Sequence, residues 1–170
     1  MPTHAPMTAT LVAVSVNRGT AYEVVLLAHV LAAVIGFGAV CVAGAYAVLL
    51  GHSGPIPESV RRYYRPGVNW AGRILFLVPI LGFVLLGMSH GAHAYSSSDG
   101  WVMVGLILWV AAALAGEMVL WPDERGLQQL VAGGAWDGSA HRSLRLRVAW
   151  TSAALMIIFV VAMVVMVAKP

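Results

Sequence analysis

The chain has 170 residues, of which 60% are hydrophobic and only 10% charged, with a net charge of +3. A soluble domain carries about 25% charged residues, so this composition excludes an ordinary water-facing globule, and the few bases exclude the dense basic face a nucleic acid needs. The single cysteine, Cys41, excludes an intrachain disulfide and a thiolate metal cluster.

In chain order, Met1–Ala21 lacks the basic start and compact apolar core of a secretory signal and reads as a retained polar tail. Four apolar runs follow: Val24–Leu50, Ile74–Met88, Trp101–Leu120 and Val148–Ala168. About 20 helical residues cross a hydrocarbon layer of about 30 Å, and the shorter second run reaches that length if Val68–Gly72 or Ser89–Ala94 continues it. Helices satisfy their own backbone, whereas a barrel would alternate in segments of about ten residues. The expected fold is all-α: a polytopic four-transmembrane-helix bundle over residues 22–170, preceded by the 1–21 tail.

The first run carries small residues four apart, Ala28, Ala32 and Gly36, then Ala39, Ala43 and Ala47. The third has Ala112 and Gly116. Such spacing lets helix backbones approach closely, which matters where lipid removes the hydrophobic drive. In the second run Pro79 removes a backbone donor and predicts a bend. The fourth, with Met156, Met163 and Met166 among valines and isoleucines, reads as lipid-facing.

The arginines sort by loop. Arg61, Arg62, Arg65 and Arg73 lie between runs one and two, and Arg125, Arg142, Arg145 and Arg147 between runs three and four. Eight of the ten basic residues thus fall on one side, which the positive-inside rule assigns to the cytosol, leaving both termini outside. Tyr22, Tyr95 and Trp101 fall at the expected outer boundaries, and Trp70, Trp121 and Trp150 at the inner ones. Trp109, at mid-depth, needs a partner for its ring N–H. In the first basic loop Pro57–Arg65 predicts a short helix; in the second, Pro122-Asp123-Glu124 suits the opening turn of a separate helix that Gly133-Gly134 ends. Both helices are expected to lie on the membrane surface, arginines toward anionic headgroups.

Two polar groupings are the candidate sites. His29 in the first span, with His90 and His93 at the outer end of the second, places three imidazoles at similar depth. They can hold a haem iron, copper or zinc, or serve as structural hydrogen-bond donors. Near the inner end of the third span, Glu117 is an intramembrane acid whose neighbours in depth are Arg73 and Arg147, and a structural ion pair is the expectation. No nucleophile–base set or phosphate loop is present, so no enzyme is expected.

Leu27-Ala28-His29-Val30-Leu31-Ala32-Ala33-Val34, the basic lead Arg145–Trp150 and the ending Met166–Pro170 resemble the "predicted integral membrane protein" family, domain of unknown function 2269, over Glu23–Pro170. That resemblance implies four helices in a bacterial plasma (inner) membrane and brings no activity with it. The function expected is a small, non-enzymatic integral membrane protein, an accessory or scaffolding subunit of a larger complex, respiratory in one version, with no cofactor. Its partners would be the lipid bilayer and other protein subunits or further copies of itself, with no nucleic acid. The alternatives are a bis-histidine electron carrier binding haem b and a transporter of a small solute or ion.

Overall fold

The computed structural model describes residues 19–52, 54–89 and 96–168. The tail Met1–Arg18, His90, His93, Tyr95 and Lys169 lie outside the described residues. The described residues form helices joined by turns. These are α1 (Thr20–Leu49), α2 (Glu58–Tyr63), α3 (Trp70–Met88), α4 (Gly100–Ala132) and α5 (Arg142–Ala168). All but α2 are long and apolar enough to cross a membrane.

The four long helices pack antiparallel in steps of seven residues. Along α1 and α5, Gly51 meets Arg145, Gly44 meets Ser152, and Phe37 meets Phe159, edge to face at 6.0 Å between ring centres. Along α1 and α3, Gly36 meets Leu75 and Gly82 faces His29. A seven-residue repeat keeps one stripe of a helix against its neighbour and implies a left-handed crossing near about 20°. The buried stripe of α1 follows it: Gly36, Val40, Ala43, Ala47 and Leu50. Small residues hold the seam because only they let the backbones close: a Cβ on Gly44 would sit 2.8 Å from the Ser152 Cβ. Large side chains turn outward instead, as on α5 with Ile157, Met163, Val164 and Val167. The same helix buries Val148, Ser152 and Leu155, so α5 both turns apolar side chains outward and contributes to the core.

Two irregular turns have identifiable causes. In α3 the segment Ile74–Phe76 tightens to a 3-10 turn before Pro79. Pro79 has no N–H for the carbonyl of Leu75, and the Trp109 ring N–H donates to that oxygen at 3.1 Å. In α4 a π turn spans Gly116–Leu120, where the Trp121 N–H reaches the Gly116 carbonyl five residues back. Pro122 follows at once, and the widened turn gives its ring room. The separate surface helix expected from Pro122 is therefore corrected: α4 runs on without a break to Ala132. It ends where Gly134, at φ 68°, lets the Ala135 N–H turn back to the Leu130 carbonyl at 3.0 Å.

The inserted π residue also shifts the buried stripe of α4 by one position. Before it, the stripe runs Val102, Gly105, Ala112, Gly116; after it, Leu120, Glu124, Leu127, Val131. The densest packing consequently lies at the arginine-bearing end. Leu120, Leu127, Val148, Val60 and Tyr64 are fully buried there, beside Leu50 and Trp121. The first basic loop is thus docked into the bundle through Val60 and Tyr64, while Arg61, Arg62 and Arg65 stay exposed. Trp121, expected at a membrane boundary, is buried instead at 6% exposure over Gly72, whereas Trp70 and Trp150 are 72% and 73% exposed.

Candidate functional site

At the arginine-bearing end, three acids on the continuation of α4 are each engaged by a different element. Glu124 is buried, and its Oε1 accepts from the Tyr63 hydroxyl at 2.5 Å and from the Asn69 amide at 3.4 Å. Asn69 in turn caps α3, its Oδ1 accepting the Gly72 N–H at 3.1 Å. One carboxylate therefore ties the end of α2 and the first turn of α3 to α4. Tyr63 is held from both sides: Tyr46 of α1 stacks on it at 4.4 Å and 5°, and Tyr64 meets it edge-on at 5.0 Å. Burial pushes the Tyr63 and Tyr64 phenols above their usual range, and the charge of Glu124 pushes them further, so both stay protonated.

Asp123 is also buried and meets Arg147 Nε at 3.0 Å. Glu117, inside the π turn, meets Arg73 Nη2 at 3.5 Å. The Glu117–Arg73 pair expected from depth is present. Arg147, expected on the same acid, pairs with Asp123, because α4 continues past Pro122 and brings that carboxylate against α5. Glu117 and Arg73 are 37% and 34% exposed, so they sit on the flank of the bundle. In this cluster the hydroxyl beside a carboxylate, that of Tyr63, is engaged in donating to Glu124. The chemistry is that of a clasp, in which buried donors and acceptors lock two loops to one helix.

Toward the other end, the His29 Nδ1 lies 2.9 Å from the Val78 carbonyl oxygen, which orients the ring against α3. Gly82 faces the ring, and a Cβ there would lie 3.5 Å from it, in ordinary van der Waals contact. His90 and His93, proposed as its companions, lie outside the described residues. Among the described residues, no three His, Cys, Asp or Glu side chains gather as a metal site.

The residues that sequence reasoning missed are Glu124, Asp123, Tyr63 and Asn69. The signal available was a shift in phase. Leu120, Leu127 and Val131 are apolar on a stripe displaced by one position from Ala112 and Gly116, and that displacement carries Glu124 inward. No family model matches the chain, and no curated protein or solved structure matches it.

Proposed function

We propose that the chain is a non-enzymatic, multi-pass subunit of a bacterial plasma (inner) membrane assembly, an accessory or scaffolding partner in a larger complex of respiratory type. The observation that carries this reading is the state of α3. Its principal neighbour is α1, and none of Leu77–Met88 is buried, with Ile80, Phe83 and Val84 exposed along one flank. A spanning helix covered on one side offers the other to a further transmembrane helix. Of the acids of α4, Glu117 meets Arg73, Asp123 meets Arg147 and Glu124 accepts from Tyr63, and a void between α1, α3, α4 and α5 measures about 20 Å³, room for about one water. In this reading the arginine-bearing loops face the cytosol and both termini face out, because eight of the ten bases lie on those loops or at their edges.

The test is native mass spectrometry of the protein extracted in mild detergent, with an optical spectrum of the same sample. A partner at fixed stoichiometry, released by Ile80→Trp without loss of helicity, is the expected result. An isolated 18.0 kDa chain, with solute flux in proteoliposomes that Glu117→Gln reduces, would overturn it in favour of transport. For orientation, cysteine placed at Ser97 should react with an impermeant external reagent and cysteine at Ser59 should not. One observation favours a second reading as a haem-binding electron carrier: an imidazole whose Nδ1 is engaged by a carbonyl keeps Nε2 for a metal, the arrangement common at metal-bound histidines. A Soret band abolished by His29→Ala would establish it, and colourless, iron-free protein would reject it.

A further inference from the structure

The outer face of α5 changes chemistry along its length. Opposite the buried Val148, Ser152 and Leu155, an exposed stripe follows the same seven-residue repeat. It starts with Ser143 and Arg147, continues with Trp150, and then turns apolar. Ala154, Ile157 and Val161 carry it onward. From Trp150 to Val161 the helix rises about 16 Å, the depth of one leaflet of hydrocarbon. Hydroxyl, cation, indole and aliphatic side chains thus stand in the order of a membrane lipid's headgroup, glycerol level and acyl chain.

The pairing of Arg147 decides what its guanidinium offers. Asp123 meets it through Nε at 3.0 Å, and no other acceptor reaches the guanidinium among the described residues. The two side chains are unequally exposed, Arg147 at 62% and Asp123 at 10%. The acid therefore stands behind, and the positive member of the pair faces out with both Nη atoms left to donate. That edge of a guanidinium matches two oxygens of one phosphate. The Arg73–Glu117 pair lacks this property, because its members are about equally exposed and an approaching anion meets the carboxylate as well. From Arg142 to Ala168 α5 carries no acid, and Arg142 adds a second exposed cation in the first turn. One turn beyond Arg147, the largely exposed Trp150 supplies an amphipathic ring suited to the headgroup level.

We propose that the outer face of α5 binds an anionic phospholipid of the arginine-side leaflet, Arg147 holding the phosphate and the stripe from Trp150 to Val161 holding an acyl chain. Charge complementarity selects this occupant: a phospholipid brings a phosphate and an apolar chain in one molecule, in the order the stripe presents their partners. The site is separate from the flank of α3 and stands whether or not that flank takes a further helix.

The test uses the full chain, delipidated in a neutral detergent and titrated with dioleoyl phosphatidylglycerol or dioleoyl phosphatidylcholine, with native mass spectrometry reading the affinity of the first lipid. Phosphatidylglycerol should bind about fivefold or more tighter, the scale of one cation near an anionic headgroup. Arg147→Gln should weaken its binding about tenfold, as for a lost charge-assisted hydrogen bond. That variant also strips Asp123 of its cation, so Ser143→Glu serves as the second. It keeps the Asp123 pair, sets a carboxylate one turn from Arg147, and should weaken phosphatidylglycerol to a similar extent. Trp150→Ala should weaken both lipids by a smaller factor, and Arg62→Gln, on the exposed face of α2, should change either by less than about twofold. Equal binding of phosphatidylglycerol by the wild type, Arg147→Gln and Ser143→Glu would overturn the proposal. Full displacement of the lipid by millimolar inorganic phosphate would overturn the lipid assignment. So would benzoylphenylalanine in place of Ile157 that, in native membranes, cross-links to a protein and not to lipid.

Discussion

The two halves of the bundle are held together by different physics. Toward the chain termini, the buried residues are Ala32, Gly36, Val102 and Gly105, while Val24, Leu27, Val34, Ile107, Met163 and Val164 face outward. Lipid is as apolar as leucine, so nothing is gained by hiding large side chains, and close backbone contact does the work. Toward the arginine-bearing end, Val60, Tyr64, Leu127 and Val131 are buried beyond the apolar runs, where water is the competing solvent. There each large apolar side chain contributes about 2 kcal/mol on burial, and Tyr63, Asn69 and Glu124 are paired with one another as they go in. One chain thus carries a membrane-type seam and a water-type core, joined where the π turn re-phases α4.

The contrast can be broken from either side. The largest effect is expected at the seam. Gly44→Val puts its new side chain into Ser152 on α5, and overpacking of this kind costs about 3 kcal/mol, read as a loss of thermal stability in detergent. Next comes the clasp. Tyr63→Phe and Glu124→Gln should each cost about 1–2 kcal/mol, and their double-mutant cycle should show coupling of about 1 kcal/mol or more, because the two groups share one hydrogen bond.

The clasp also carries a pH signature that the seam lacks. The unfolded chain's phenols ionise near 10.0, while Tyr63 and Tyr64 in the fold ionise higher. Their contribution is complete below pH 10 and is lost as pH climbs beyond it, since the unfolded state then releases protons that the folded state retains. A melting profile against pH should therefore fall above 10, and Tyr63→Phe should make that fall shallower.

A smaller effect joins the halves at Trp109. Removing its ring N–H with Trp109→Phe leaves the Leu75 carbonyl without that donor, at about 1 kcal/mol. In a Pro79→Ala background the penalty should shrink, because residue 79 then supplies the missing N–H itself. The smallest effect is expected at Glu117. A pair more than a third exposed contributes little, so Glu117→Gln should change stability by less than about 0.5 kcal/mol.

The membrane half was legible in the sequence because its signal is compositional. Long apolar runs mark the spans, and the small residues Ala32, Gly36, Ala43 and Ala47 lie on the buried face where their spacing put them. Glu117 and Arg73 could be paired from depth alone. The arginine-bearing half was less legible. Pro122-Asp123-Glu124 has the chemistry of a helix start, and only the π turn before it converts the same residues into a helix interior. Periodicity fitted to 3.6 residues then points Glu124 to the wrong face. Trp121 was misplaced for the same reason, since an indole at a boundary looks like a belt residue until Gly72 opens a seat for it. Tyr63 and Asn69 gave no signal of their own, because their partner lies more than fifty residues away.

The central claim is that residues 121–132 continue α4 as a packed helix clasped through Glu124, rather than forming a surface segment. Hydrogen–deuterium exchange resolved over this stretch tests it most directly. The account predicts amide protection at 124–131 comparable to that at 105–115, with protection at both 124–131 and 60–64 lost together in Glu124→Ala. Exchange at 124–131 in the wild type as fast as in an unstructured loop would contradict it.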